Sequence, residues 1–211
     1  SRFEPRAPPS MLDRLALLIN DAHGTHRGWA RLQLANLGYT FGQLQPWMQV
    51  RVPEVKRVVF VCLENINRSA FAHVVADKIG LEATSFGLST TTGGPAYDKA
   101  IDIAPSFGVS LEAHKATDIT DFHHRPGDLL AVMEIRQIHR LLSRGYPDES
   151  IVLLGRWSAP MRLHIHDPHT LGDGYFKTCF SILNSAVRNL AADLAAHGHP
   201  AAKDLRGSSR P

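Results

Sequence analysis

The chain has 211 residues, 44% of them hydrophobic and 20% charged, a balance that suits a folded protein with a full core and excludes a disordered one. Its net charge of +3 is small and its basic residues are interspersed with acids, which argues against a nucleic-acid-binding stripe or a polybasic membrane patch. No apolar run approaches the roughly 20 residues of a membrane-spanning helix, and two cysteines, Cys62 and Cys179, are too few for a disulfide scaffold, so a reducing, cytoplasmic setting without membrane insertion is expected.

In chain order, residues 1–10 are rich in Pro and Arg and read as a frayed tail, without the pattern of a signal peptide. Leu12, Leu15, Leu17, Leu18 and Ile19, then Trp29, Leu32, Leu34 and Leu37, suggest two short helices. Residues 1–50 are thus expected to be an N-terminal helical extension and tail, either packed on the main body or serving as a partner-docking arm. Residues 51–198 open with the break RVPEVKR, and from about Val58 to Ala196 they alternate β-like runs with helix-like stretches, the pattern of a parallel sheet covered by helices. VVFVC ends the first strand at Cys62, and a helix is expected from about Arg68 to Gly80. A second strand near Ala83–Leu88 is followed by the polar loop STTTGGPAYD and a helix from about Asp98. DLLAVM, continuously apolar, reads as a central strand. Ile135, Ile138, Leu141 and Leu142 form the next helical face, stopped by Gly145. SIVLLG is a further strand, and Phe176, Phe180, Leu183, Val187 and Leu190 line a long closing helix. Residues 199–211 read as a flexible C-terminal tail.

The first strand-to-helix junction carries the chemistry. A loop leaving the carboxyl end of a parallel strand and turning into a helix points backbone N–H groups into one small space, backed by the positive end of the helix dipole. Such a space binds anions. The same donors favour thiolate over thiol, which makes a cysteine at the loop's first position a nucleophile at neutral pH. Arg68, six positions after Cys62, can return over the loop and grip two oxygens of a tetrahedral anion with its planar fork, as lysine cannot. Cys-x5-Arg therefore suits attack on phosphorus. The spacing alone is weak, and a buried structural Cys62 with a surface Arg68 is the bland alternative. The strand before, the helix after and the polar Asn65 and Ser69 reverse that preference.

At Val61, Cys62, Leu63, Glu64, Asn65, Ile66, Asn67, Arg68 and Ser69 the sequence resembles the low-molecular-weight protein tyrosine phosphatases of bacterial type, whose loop usually reads V-C-x-G-N-x-C-R-S-P. The resemblance continues through PAYDKAIDIAPSFGVSLEAHKATDIT and DLLAVMEIRQIHRLL to IHDPHTLGDGYFKTCFSILNSAVRNLAADL, about 140 residues in the family's order. It implies an α/β three-layer sandwich with a short, mostly parallel central sheet, residues 51–198 being the phosphatase domain. It also implies hydrolysis of phosphotyrosine through a phosphocysteine intermediate. Cys62 would be the nucleophile, Arg68 the phosphate clamp and Asp167 the general acid, with Ser69 bonded to the sulfur, Asn65 holding a strained loop, and Leu63, Glu64, Ile66 and Asn67 completing the phosphate cradle. A phenolate leaves more easily when protonated, so an acid on a second loop makes independent chemical sense. No metal or cofactor is required, because Arg68 and the backbone amides can neutralise the phosphoryl oxygens. The implied partner is a phosphotyrosine-containing protein, with a bacterial tyrosine kinase of polysaccharide export as one candidate.

Four positions depart from the family's pattern, at three places. Glu64 stands where glycine is usual, and a carboxylate about 4 Å from the bound anion would cost about 4 kcal/mol at an effective dielectric near 20. Its side chain is therefore expected to point outward or to impair the site. Asn67 replaces the loop's second cysteine and removes a resolving thiol, Cys179 being read as core. His169 and Thr170 follow Asp-Pro where aromatics are common, which leaves Tyr97, Trp157 or Tyr175 to wall the substrate. His164, His166 and His169 cluster around Asp167 without the spacing of a zinc site. Alternatives are a catalytically impaired phosphate-binding protein on the same fold, favoured by Glu64 and Asn67, and, less favoured, an arsenate reductase, which would need more cysteines near the site.

Overall fold

The structure, a computed structural model, describes residues 18–207. Its centre is a parallel sheet of β1 (Arg57–Cys62), β2 (Ala83–Gly87), β3 (Asp128–Val132) and β4 (Ile151–Leu153), in the order β2-β1-β3-β4. The helices are α1 (His26–Thr40), α2 (Arg68–Lys78), α3 (Asp98–Ile103), α4 (Ile135–Leu142) and α5 (Asp173–Ala196). The architecture is the expected α/β one. Strand β1 is RVVFVC, and its last five residues are buried because strands flank it on both sides and helices cover both faces. Cys62 lies beside Gly87, Val61 beside Val132, and Val132 beside Leu153, so the carboxyl ends of all four strands share one edge of the sheet. Because β1 has β2 on one side and β3 on the other, the strand order reverses at β1, which is where α/β sheets open a binding crevice.

Alternation along β1 divides its side chains between two apolar layers. Val58, Phe60 and Cys62 face α2 and α5, where Phe71 and Phe180 stack with ring centroids 3.8 Å apart and the predicted stripe of the closing helix is buried. Val59 and Val61 face Ile138 and Leu141 of α4. The second layer is completed from the N-terminal segment: Ala35 of α1 joins it, together with Leu44 and Met48 on either side of a 3₁₀ turn at Gln45–Trp47. Trp47 Nε1 and Arg51 Nη1 both donate to Asp148, each at 2.8 Å, tying this segment to the turn before β4. Of the two helices expected in the first 50 residues, the first is seen only as helix over residues 18–23, the rest lying outside the described residues. The second is α1, and residues 18–50 pack on the body rather than standing away from it as an arm.

At the other end one expectation needs correction. The segment expected to be a flexible tail from residue 199 is folded through 207: Ala201 N–H donates to Val55 O at 3.0 Å, Glu82 N–H donates to Ala201 O at 2.9 Å, and Ala201 and Ala202 are buried in the first layer. Small side chains that look like tail composition are those that fit a narrow gap beside a sheet edge.

Candidate active site

The buried run of β1 delivers Cys62 to the sheet edge, and the chain must then reverse within five residues to begin α2 at Arg68. Asn65 makes the reversal possible by adopting φ +58°, a left-handed conformation open to asparagine at modest cost. Its backbone N–H points at the Cys62 sulfur, 3.3 Å away. Its side-chain amide donates to Ser69 Oγ at 2.8 Å and Ser85 Oγ at 2.9 Å, while Oδ1 accepts the Thr117 N–H at 2.9 Å. The Asn65 carbonyl lies 2.8 Å from His114 Nε2, which donates to it. Since Ser69 Oγ already accepts from Asn65, its own proton is free for the Cys62 sulfur at 3.0 Å. The Asn65 N–H and the Ser69 hydroxyl thus converge on one sulfur at the start of a helix.

Arg68, the first residue of α2, is 1% exposed and is the largest fully buried side chain. Its guanidinium reaches across the edge of the sheet: Nη1 donates to Ile165 O at 2.9 Å, and Nη2 donates to Asp167 Oδ2 at 2.6 Å. Glu134, the second residue past β3, places Oε1 3.6 Å from Nη1. Burial works against the guanidinium's charge, but Asp167, Cys62 and Glu134 outweigh it and raise the pKa. Burial likewise opposes ionisation of Glu134, yet Arg68 and then His164 and Arg136 hold its carboxyl below the usual range. Arg68 Nε is buried without a partner, a donor available to an anion seated in the loop.

Cys62, Asn65 and Ser69 therefore form one hydrogen-bonded set and Arg68 and Asp167 another, the two joined through the adjacent residues Arg68 and Ser69. Among the other loop residues, Leu63 is exposed, Ile66 is half-buried and bonded through its carbonyl to Tyr97 N–H at 3.1 Å, and Asn67 is buried with Oδ1 unpartnered. Glu64 is half-buried and makes no side-chain hydrogen bond or ion pair among the described residues. Of the three aromatics weighed as a wall, Tyr97 fits. Its ring lies 4.7 Å from that of His169, whose N–H donates to Asp167 Oδ1 at 3.2 Å, so the pair borders both loop and acid. Trp157 is directed elsewhere, donating to Asp193, and Tyr175 is buried behind the acid loop with its hydroxyl on His166 O at 3.1 Å. Cys179 is buried in the core, its thiol pushed up by burial, with Sγ 3.9 Å from His166 O. The histidines do not converge on one point: His164 lies 3.7 Å from Glu134 with its ring 5.8 Å from that of His166, which turns to Thr25, while His169 packs on Tyr97. Among the described residues no group of three or more His, Cys, Asp or Glu side chains is arranged to hold a metal.

The structure adds residues that spacing did not reveal. Ser85, His114 and Thr117 brace Asn65, Glu134 braces Arg68, and Thr25 touches His166. Only Glu134 left a local signal, an acid just beyond a central parallel strand.

A family model described as low molecular weight phosphotyrosine protein phosphatase matches residues 57–199. The chain belongs to this family. It is 31% identical over 143 residues to the low molecular weight protein-tyrosine-phosphatase Wzb of Escherichia coli K12, covering 66% of this chain and 95% of that protein. The crystal structure of the Erwinia amylovora tyrosine phosphatase AmsI superposes with a TM-score of 0.57 at 26% identity, over 66% of this chain and 93% of the other. The fold alone is shared with the YwlE arginine phosphatase of Geobacillus stearothermophilus, with a TM-score of 0.60 at 20% identity over 67% of this chain and 94% of the other. As a member of the family, the chain is a bacterial-type protein-tyrosine-phosphatase. The matched residues begin at 57, so α1 and the turn after it lie outside this phosphatase match.

Proposed function

We propose that the enzyme hydrolyses phosphotyrosine by way of a phosphocysteine. The Cys62 sulfur attacks phosphorus while the bond from phosphorus to the phenolic oxygen breaks. Asp167 delivers its proton to that departing oxygen. In the second half, Asp167 takes a proton from water, the water oxygen attacks phosphorus, and the phosphorus–sulfur bond breaks. Ser69 donates to the sulfur as it leaves, and inorganic phosphate departs. Throughout, Arg68 and the loop amides neutralise the phosphoryl oxygens, a stabilisation that strengthens in a site closed to water. The phosphoryl group competes with Asp167 for Arg68 Nη2, and its arrival releases the carboxylate to take from solvent the proton that it then delivers.

One observation carries this proposal: the Arg68 guanidinium, buried and ion-paired to Asp167 at 2.6 Å, begins the helix whose next residue, Ser69, sits on the Cys62 sulfur at 3.0 Å. Clamp and acid are thereby joined directly, and the clamp's neighbour in the chain holds the nucleophile. The Tyr97 ring, with His169 tilted at 54° against it, offers an aromatic wall for an aryl ester. The relatives' names support a phosphotyrosine-bearing protein as substrate, and a bacterial tyrosine kinase is the partner we favour, with the reaction in the cytoplasm. Among the described residues no helix is long and apolar enough to cross a membrane.

A second reading, a phosphate-binding protein that has lost turnover, draws on Glu64, a carboxylate half-buried within the anion loop. Hydrolysis of p-nitrophenyl phosphate separates the two. A catalyst is expected to lose nearly all turnover in Cys62→Ser and a smaller part in Asp167→Asn, since the full general-acid effect of about 10²- to 10⁴-fold is reached only with a poorer leaving group than p-nitrophenolate. Trapped wild-type enzyme should carry a phosphoryl group on Cys62 by mass spectrometry. Absence of wild-type turnover, with phosphate still bound, would favour the second reading.

A further inference from the structure

The acid loop is held from outside the family's matched residues. Thr25, the N-cap of α1, accepts the Gly28 N–H on Oγ1 at 3.0 Å, and the same oxygen lies 3.2 Å from His166 Nε2. The hydroxyl donates to Nε2 in one tautomer of the ring and accepts from it in the other, and in both the contact joins Thr25 to His166; burial and then Arg68 push the His166 pKa down. Two glycines let the extension approach: a Cβ at Gly24 would stand 2.7 Å from His166 Cδ2, and one at Gly28 would stand 2.9 Å from His166 Cγ. From the opposite side the Tyr175 hydroxyl holds the His166 carbonyl. His166 is therefore clamped at ring and backbone, and the next residue is Asp167.

The contact continues to either side. His23 Nδ1 lies 2.7 Å from Arg162 Nη1, before the acid, and the Asp21 carboxylate fills the space a side chain at Gly174 would need, just after it. Residues 21–28 thus meet the segment carrying Asp167 at its beginning, middle and end. Packing for stability alone would be served by the apolar seat of Ala35, Leu44 and Met48 on the second core layer. The polar contacts on the acid loop are additional to that seat.

We propose that Thr25 is a positioning residue for general-acid catalysis: through His166 it fixes the loop that aims Asp167, so that protonation of the leaving group depends on the N-terminal extension. This rests on Asp167 being the general acid. Aim matters steeply, since displacement of a reacting group by about 1 Å can cost on the order of 10²-fold in rate.

The test uses the full chain and a pair of substrates, p-nitrophenyl phosphate, whose leaving group needs little help, and phenyl phosphate, whose leaving group needs a proton. The quantity read is kcat/KM, which reports transfer to Cys62. Thr25→Val removes the hydroxyl and Thr25→Ser restores it; Gly28→Ala keeps the hydroxyl but crowds the His23 carbonyl and the His166 ring, and so disturbs the same contact from the backbone side. Melting temperatures verify that each variant is folded. We expect Thr25→Val and Gly28→Ala to lose less than about threefold on p-nitrophenyl phosphate and about tenfold or more on phenyl phosphate, a fraction of the general-acid effect, and Thr25→Ser to behave as wild type. Asp167→Asn provides the reference. If it shows the leaving-group dependence and folded Thr25→Val and Gly28→Ala instead lose equally on both substrates, or nothing on either, the extension does not aim the acid and the proposal fails. If Asp167→Asn itself shows no such dependence, the acid assignment falls, and this proposal with it.

Discussion

Asn65 combines a left-handed backbone with a side chain bonded on both of its ends, to Ser69, Ser85 and the Thr117 N–H. Each feature explains why the other persists: the turn aims the Asn65 N–H at the Cys62 sulfur, and the side-chain bonds stabilise a conformation that most residues avoid. Substitution separates the two contributions. Asn65→Gly accepts the positive φ but forfeits the bonds, whereas Asn65→Ala forfeits the bonds and adds backbone strain of about 1–2 kcal/mol. Equilibrium unfolding in urea should therefore rank wild type above Asn65→Gly above Asn65→Ala, with the last two separated by about 1 kcal/mol. Both should lose activity, because Ser69 would be free to turn from the sulfur. An alanine variant as stable as the glycine one would mean that the bonds, not the turn, carry the whole cost. The sequence marks Asn65 as a loop residue, but its anchors come from 20 and 52 positions further on. No local pattern reports them.

Individual elements make the Arg68 cradle. Helix α2 supplies the guanidinium, the segment after β3 supplies Glu134, and the acid loop supplies the Ile165 carbonyl and Asp167. A buried arginine with only one carboxylate would swing wholly toward it, and Glu134 counterbalances Asp167 from the other side of the guanidinium. Glu134→Gln leaves Asp167 as the dominant anion for Arg68, so a phosphoryl group must compete for a tighter pair. The expected result is a fall of about tenfold in kcat/KM on p-nitrophenyl phosphate. Steady-state kinetics check it, and an unchanged or higher kcat/KM would show that Glu134 acts mainly as a repulsive charge. Strand, loop and helix were legible here because VVFVC is a continuous apolar run ending in a thiol, and the family resemblance singled out Asp167-Pro168 as the candidate acid loop. The bracing role of Glu134 was not, since a glutamate after a strand reads equally well as the solvated start of α4 until the sheet order places β3 beside β1.

Across the whole molecule, histidines couple stability to pH. His73, His114, His164 and His166 are all pushed below their ordinary pKa, first by burial, and His164 is lowered to about 4. His164 is faced by Glu134, which favours its charged form, and by His166, Arg68 and Arg31, which oppose it. The alternating pattern of 51–198 predicted the α/β body, yet nothing in the spacing of His164 and His166 told whether they would lie in solvent or beneath α1. That outcome depends on the extension covering the sheet's second layer. Its consequence has a definite sign. In the unfolded chain these histidines bind protons near pH 6.5, whereas in the folded protein they resist until lower pH, so the stability they contribute is present above 6.5 and is lost as pH falls toward about 4. For His164 alone the loss between pH 7 and pH 4.5 is on the order of 2 kcal/mol. Urea unfolding of wild type at the two pH values should show at least that decrease, and His164→Gln should shrink the difference by a similar amount while lowering stability at pH 7 less. A pH dependence unaltered by His164→Gln would mean that water reaches this imidazole in the folded protein and that α1 does not seal it.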